Sequence, residues 1–295
     1  MFEKMRNGFR LGSATRKLIF KDKKLLLYPV IGAIVSLAVM GVLFALLVFG
    51  GSITAFASGG SGLSSTYSEA FGIIALFALY VLTAFVSTYV TMAMFIAYKR
   101  HKDGNAIAIT QSFSETKQYL KQIIEWAIFY GIVLMVIRAI EQKVGGLGGM
   151  IIGGIGSMAI AVSAMFVVPV IMDNKTGPIA SIKLSAKMLI DHFGATFGGM
   201  IYSELYSLGI ILIGIVMLVL SAMAIAFAGI LAIVGIAAGI AIVIFGSIIN
   251  YTTLNLFKLI LYEYVNGKGL PEGFNEDLIK NSIRQKRSRT AGRFA

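Results

Sequence analysis

Long apolar runs separated by short charged segments dominate this chain. The longest run, residues 205–257, covers 53 positions and contains no Asp, Glu, Lys, Arg or His. One continuous helix of that length would measure about 80 Å, whereas the hydrocarbon core of a bilayer is about 30 Å thick. The run is therefore predicted to form two membrane-spanning helices joined by a turn.

The same criterion predicts six spans, and the fold class is an all-α polytopic membrane protein with interfacial amphipathic helices. The first apolar run is too long for the core of a secretory signal, which has about 7–15 residues, so it is retained as a span. A glycine- and serine-rich segment, residues 50–68, is predicted to be the loop after it. The spans are predicted at residues 25–49, 70–98, 120–140, 144–172, 200–223 and 230–258.

Composition supports a membrane-embedded chain and leaves little room for a soluble domain. Hydrophobic residues make up 57% of the 295 residues and charged residues 14%, against about 25% charged in a typical soluble domain. We predict three regions: a basic amphipathic N-terminal segment (1–24), a six-helix transmembrane domain (25–265) and a basic C-terminal tail (266–295).

The distribution of Lys and Arg predicts the orientation. Eight lie in residues 1–24, five in 99–121, three in 173–195 and eight in 258–295, whereas the intervening links at 51–69 and 224–229 contain none. Loops rich in Lys and Arg remain on the cytoplasmic side. The protein is therefore predicted to lie in the cell membrane with both termini in the cytoplasm.

Three segments that precede spans have the pattern of helices lying on the membrane surface. In residues 178–191, apolar residues Ile179, Ile182, Ala186 and Leu189 recur at helical spacing, with Lys183 and Lys187 on another side. Residues 2–18 repeat the pattern, and residues 106–121 do so more weakly. In residues 2–18, the predicted apolar positions are Phe2, Met5, Phe9 and Leu18. The predicted basic positions on the opposite side are Arg6, Arg10 and Lys17.

Similar short strings occur in these three segments, beginning at Ser13, Ser114 and Ser185. Two interpretations are open. The chain is built from three modules, each an interfacial helix followed by a helical hairpin, or the strings share only the chemistry of the membrane interface. The unequal spacings of 101 and 71 residues weaken the first interpretation.

The basic segments indicate membrane lipids with anionic headgroups as partners. A net charge of +12 also occurs in nucleic-acid-binding proteins, but basic ends beside spanning helices are attracted to lipid, and no nucleic-acid partner is expected. An acidic helix start is predicted at residues 275–277, before a basic tail that contacts lipid or docks an acidic protein partner at the cytoplasmic face. The candidate lipid contacts are Arg6, Arg10, Lys17, Lys183, Lys187, Arg284, Lys286 and Arg287.

Glu204 is the best candidate for a functional ionisable residue within a span, because a charge at membrane depth is costly unless it is paired or reaches water. If the fifth span begins one turn later, Glu204 is instead an interfacial residue. The inner part of the sixth span is the most polar intramembrane stretch. Hydrogen-bonded helix contacts explain it, and a polar cavity facing Glu204 is the alternative. The candidate polar site comprises Glu204, Asn250, Asn255 and Lys258.

The sequence contains no recognisable catalytic, metal or cofactor motif. It has no Cys, and its two histidines, His101 and His192, stand alone in predicted cytoplasmic links. We therefore expect a protein that is not an enzyme and has no cofactor.

Several strings in order resemble a family of prokaryotic six-span integral membrane proteins classed as a domain of unknown function. They are GFRLGSATRKLIFKDKKLLLYPV, IIEWAIFYGIVLMVIRAIEQKVGGLGG, FVVPVIMDNKTGPIASIKLSAKMLIDHFG and LYEYVNGKGLPEGFNEDL. Phe193 stands where the family often has Trp. The resemblance implies a six-helix membrane protein and supplies no binding or catalytic residues.

Two functions are compatible with these patterns. The favoured hypothesis is a non-catalytic component that organises the membrane or docks a partner through its interfacial helices and basic tail. The alternative is a transporter or channel for a small solute, lipid or ion, with Glu204 and the polar part of the sixth span along its path. Scarcity of charge at membrane depth favours the first hypothesis.

Overall fold

The chain is an all-α membrane protein, shown by a computed structural model that describes residues 2–57 and 63–268. Within these residues the secondary structure is helical, without strands, and six helical stretches are long and apolar enough to cross a membrane. These stretches are Lys23–Leu46, Ala70–Lys102, Ile109–Val144, Gly146–Asn174, Thr196–Met223 and Ile230–Val265. The predicted number of spans and the all-α fold class are confirmed.

Eleven α-helices are described within residues 2–57 and 63–268. They are α1 (Phe2–Lys21), α2 (Leu27–Ala57), α3 (Leu63–Lys102), α4 (Ile109–Thr116), α5 (Leu120–Val144), α6 (Gly146–Ser163), α7 (Val167–Asn174), α8 (Pro178–Asp191), α9 (Phe193–Met223), α10 (Ile225–Ala228) and α11 (Ile230–Val265). Short 3-10 turns at Lys23–Leu26 and Lys117–Tyr119 precede α2 and α5. The helix start predicted at residues 275–277 lies outside the described residues.

The loop predicted at residues 50–68 is shorter than expected. Helix α2 continues to Ala57 and α3 begins at Leu63. The apolar residues that follow Gly50 and Gly51 extend the hydrophobic pattern of α2, so the two glycines do not end the helix.

The helices form two compact units. Unit 1 contains residues up to Pro29, His101–Asn105 and the chain from Met188 onward. Unit 2 contains Val30–Arg100 and Ala106–Lys187.

In unit 1, α9 and α11 pack as an antiparallel pair through glycines on both helices. A Cβ atom on Gly214 would lie 2.9 Å from the carbonyl oxygen of Gly239, and one on Gly239 would lie 2.9 Å from that of Gly214. Further along the pair, Gly246 packs against Ile210 and Ile211. Small residues permit such close backbone approach, which is how helices associate within lipid.

Helix α1 packs against the opposite end of the same pair. A Cβ atom on Gly12 would lie 3.0 Å from Tyr202 Cδ1 and 3.2 Å from the carbonyl oxygen of Gly199. Gly199 also faces the ring of Phe257, whose side chain is fully buried. One glycine of α9 thus brings α1 and α11 close to the same short stretch of helix.

In unit 2, the predicted fourth span is interrupted. Helix α6 ends at Ser163 and α7 begins at Val167. Pro169 explains the break, because a proline cannot donate to the carbonyl four residues earlier and its ring crowds that carbonyl. The freed amide of the buried Phe166 donates to the hydroxyl of Ser185 on α8 at 2.9 Å. The break thus lies a few residues before the proline, and a side chain of α8 caps it.

Replacing Gly199 with Ala is expected to destabilise unit 1, because the new methyl group would overlap the ring of Phe257. Overpacking of this kind costs about 1–3 kcal/mol, so thermal unfolding of the purified protein in detergent should shift to lower temperature. Gly209→Ala is the matched control, since nothing lies within 4 Å of a Cβ atom there. Equal losses of stability in both variants would contradict this packing.

Replacing Ser185 with Ala is expected to lower stability through a different mechanism. The amide of Phe166 would lose its partner, and an unsatisfied buried donor costs about 1–3 kcal/mol. Thermal unfolding and hydrogen exchange of α7 measure the effect. Ser114→Ala, at an exposed position of α4, should change neither, and faster exchange of α7 in that variant as well would count against the capping role.

Candidate functional site

The structure brings Glu204 and Asn250 into direct contact. The side-chain amide of Asn250 on α11 donates to Oε2 of Glu204 on α9 at 3.2 Å. Glu204 is exposed on the protein surface, and Asn250 is half-buried. Two of the four predicted polar-site residues thus form one hydrogen-bonded pair across the hairpin.

The other two predicted residues are placed differently. Lys258 is half-buried two turns along α11, and its ammonium is close enough to Glu204 for their charges to interact. Asn255 points about 140° away from Asn250 around the helix axis, given about 100° per residue. Its amide donates to the backbone carbonyl of Tyr251 at 2.9 Å. Lys258 therefore belongs to the site, whereas the described hydrogen bond of Asn255 stays within its own helix.

Two hydroxyl side chains that were not among the predicted site residues lie on α9 and α11, close in sequence to Glu204 and Asn250. Ser207 of α9 and Thr253 of α11 are 1% and 2% exposed. Their oxygens are buried without a hydrogen-bond partner, as is Oδ1 of Asn250. Helical spacing places Ser207 with the packing residues of α9 and Thr253 with Asn250, so this spacing was the signal that could have found them.

The position of the pair along the hairpin can be measured from the connecting turn. Glu204 lies 19 residues before Met223, the end of α9, and Asn250 lies 20 residues after Ile230, the start of α11. At about 1.5 Å per residue, both residues are about 30 Å from the turn. This distance is close to the whole hydrocarbon thickness of a bilayer.

Arg16 of α1 forms a second polar contact that the sequence analysis missed. Its guanidinium lies 4.1 Å from the ring centroid of Tyr206 and 5.5 Å from that of Tyr202. The ring of Phe9 meets Tyr202 edge-on, with centroids 4.8 Å apart. The two tyrosines are four residues apart on one face of α9, whereas Glu204 lies on the opposite face. Arg16 therefore anchors α1 rather than completing the Glu204 site.

The predicted basic stripe of α1 is exposed. Arg6, Arg10 and Lys17 share one side of the helix and all three are exposed. The opposite, buried side differs from the predicted apolar face and consists of Gly8, Leu11, Gly12, Thr15 and Ile19.

The residues predicted to form the apolar face of α1 lie elsewhere. Phe9 is 38% exposed and Leu18 is half-buried, and the side chains of Phe2 and Met5 lie outside the described part. Close packing against α9 selects small residues, which a search for large apolar residues overlooks.

Helix α8 begins at Pro178, as predicted, and has a buried side and an exposed side. Ser181, Ser185 and Leu189 are buried. Lys183 and Lys187 are exposed. Three further exposed positions are apolar, namely Ile179 at 58%, Leu184 at 42% and Ile190 at 73%. The predicted apolar face is therefore divided, with Leu189 buried and Ile179 exposed.

The end of α3 carries four consecutive residues that each contact a carboxylate. In unit 2, Lys99 pairs with Asp173 at 3.1 Å and Arg100 pairs with Glu115. In unit 1, His101 pairs with Asp22 at 3.0 Å and Lys102 pairs with Glu263 at 3.3 Å. These residues hold helix ends together within their own unit. The candidate lipid contacts Arg284, Lys286 and Arg287 lie outside the described residues.

A family model described as a family of unknown function, DUF6159, matches residues 70–270. The chain belongs to this family. The DUF6159 match begins within α3 and extends past the end of α11, so it contains Glu204, Ser207, Asn250, Thr253 and Lys258. Helix α1, with Arg16, precedes the matched region. No curated protein and no solved structure matches the chain.

Replacing Arg16 with Gln is expected to loosen α1 of this DUF6159 protein from α9. A cation–π contact contributes about 0.5–2 kcal/mol, so hydrogen exchange at the buried amides of α1 should accelerate by about 2- to 30-fold. Arg10→Gln provides the matched control, because Arg10 is exposed on the opposite side of the same helix. Unchanged exchange in the Arg16 variant would show that the stacking does not hold α1.

Proposed function

We propose that this protein is a non-catalytic membrane-organising component that binds anionic lipid headgroups and docks a protein partner at the cytoplasmic face of the cell membrane. Both termini lie in the cytoplasm in this proposal, since the links between spans on that side contain nearly all the Lys and Arg residues. The exposed surfaces of α1 and α8 supply the lipid contacts.

The single observation that carries the proposal is the exposed surface of α8. Exposed Lys183 and Lys187 lie beside Ile179 and Ile190, which are also exposed. A surface that is apolar and basic at once suits the boundary between acyl chains and anionic headgroups. Water would disfavour the isoleucines, and the hydrocarbon core would disfavour the lysines.

Helix α1 adds a second basic surface next to α9. Arg6, Arg10 and Lys17 form no ion pair within the described residues. Each basic side chain near an anionic bilayer surface contributes about 1 kcal/mol of attraction. The exposed phenylalanines Phe9 and Phe20 lie beside these basic residues, so α1 also offers both apolar and basic contacts.

The alternative function, transport of a small solute, lipid or ion, is less well supported by the position of Glu204. A transport site is typically near the bilayer midplane. The Glu204–Asn250 pair is about 30 Å from the hairpin turn, which favours a position at the inner edge of the hydrocarbon if the turn lies at the outer surface. The exposed carboxylate would then be within reach of water and headgroups.

The lipid contact of α8 can be tested with the full-length protein in nanodiscs that contain mixed zwitterionic and anionic phospholipids. Lys183→Gln and Lys187→Gln are each expected to reduce the preference for anionic lipid about fivefold, corresponding to about 1 kcal/mol per lysine. Native mass spectrometry of retained lipid measures this preference. Adding salt should reduce it in the original protein, because screening weakens exposed charges.

Lys143→Gln is the control, since Lys143 is an exposed lysine near the C-terminal end of α5. This end of α5 is predicted to lie outside the cell. An equal reduction in this variant would indicate a general effect of net charge. Absence of any preference for anionic lipid in the original protein would contradict the proposal.

A further inference from the structure

Glu204 carries an exposed carboxylate on a side of α9 that is otherwise apolar. Phe197 lies seven residues before it and Leu208 four residues after it. At about 100° per residue, both lie within about 40° of Glu204 around the helix axis. They are 43% and 48% exposed, and the neighbouring Leu205 is 57% exposed. Apolar surface therefore continues along α9 before and after the carboxylate, which is typical of a surface that contacts lipid.

Asn250 fixes this carboxylate and leaves one of its oxygens available. The side-chain amide of Asn250 donates to Oε2 at 3.2 Å, and Oε1 accepts no hydrogen bond from the residues that the structure describes. Among the same residues, Glu204 forms no ion pair. Lys258, the only basic residue of α11, lies eight residues beyond Asn250, or about 12 Å along the helix axis. Oε1 can therefore accept a hydrogen bond from a ligand.

The depth of Glu204 restricts the chemistry of that ligand. The residue is about 30 Å from the turn between α9 and α11, which matches the thickness of the hydrocarbon core. If the turn lies at one surface of the bilayer, the carboxylate meets the headgroup layer of the other surface. A charge at that depth needs an opposite charge or water. The opposite charges that the bilayer itself supplies are the cationic groups of its zwitterionic lipids.

We propose that Glu204, positioned by Asn250, binds the primary ammonium of phosphatidylethanolamine on the lipid-facing side of α9. This ammonium has three N–H donors, and a hydrogen bond between an ammonium and a carboxylate is strengthened by both charges. The choline headgroup carries the same charge but has no N–H donor. The site should therefore distinguish two lipids that differ only in the methylation of one nitrogen.

The test uses the full-length protein in nanodiscs that contain equal amounts of phosphatidylethanolamine and phosphatidylcholine, with identical acyl chains and no anionic lipid. Native mass spectrometry of the retained lipid measures the preference. We expect phosphatidylethanolamine to be retained about fivefold over phosphatidylcholine, which corresponds to about 1 kcal/mol. Glu204→Gln keeps the size of the side chain and removes its charge, so this variant should lose the preference.

Asp103→Asn is the matched control. Asp103 is exposed, lies in the same unit and loses the same charge in the variant, but it follows the end of α3. This variant should keep the preference. Lys183→Gln should keep it as well, because the lysines of α8 serve the proposed binding of anionic lipid. The two lipid proposals can therefore fail independently.

Chemical coupling locates the bound lipid. A carbodiimide joins a carboxylate to a primary amine in contact with it as an amide, with loss of one water molecule. After coupling in phosphatidylethanolamine nanodiscs, peptide mapping should find the lipid attached to Glu204. Phosphatidylcholine has no primary amine, so the same treatment in its nanodiscs should attach no lipid.

Four results would overturn the proposal. Equal retention of the two lipids by the original protein would mean that water or ions satisfy the carboxylate. An unchanged preference in Glu204→Gln would place the selective contact elsewhere, and an equal loss in Asp103→Asn would indicate a general effect of net charge. Absence of coupling at Glu204 would show that the ammonium does not contact this side chain.

Discussion

Helices inside a bilayer gain little from hiding apolar surface, because lipid is as apolar as their own side chains. Their association depends instead on close contact, and in unit 1 glycine makes this contact possible. Gly214 and Gly239 bring the two backbones of the hairpin together, and Gly199 admits the ring of Phe257. The register set by these glycines places Asn250 next to Glu204 and turns the opposite face of α9 toward α1.

Four of the fourteen acidic residues join helix ends. Asp22, Glu115, Asp173 and Glu263 each pair with one residue of the short basic string at the end of α3. The exposed basic residues of α1 and α8 are not among the partners of these carboxylates; they are Arg6, Arg10, Lys17, Lys183 and Lys187.

Hydrophobicity predicted the six spans because the bilayer imposes a length and an apolar composition on each of them. The start of α8 was also predictable, since Pro178 follows Gly177 and suits the first turn of a helix. The faces of α1 were not, because its buried side is built around Gly8, Gly12 and Thr15. These residues rank low in hydrophobicity, and only knowledge of the neighbouring helix shows why small size matters there.

The candidate site illustrates the same limit. Glu204 was recognisable as an isolated charge, and Asn250 as a polar residue in an apolar run. Helical spacing alone can place Ser207 and Thr253 on the packing faces of α9 and α11, but only the antiparallel register shows which residues of the other helix they face. Asn255 shows the converse, because its polarity was noticed but its described hydrogen bond is to Tyr251 on its own helix. Polarity in a span identifies candidates, and register decides which of them share a site.

The buried hydroxyls of the three amphipathic segments bear on how their similar strings arose. Thr15, Thr116 and Ser185 are all fully buried. The hydroxyls of Thr15 and Thr116 donate to the carbonyl four residues earlier, at 2.9 Å and 2.8 Å. Ser185 instead accepts from the amide of Phe166. The strings align Ser185 with Ser13, which is half-buried, and with Ser114, which is exposed. The third segment therefore buries a hydroxyl at a different position of the string, which favours shared packing chemistry over three copies of one module.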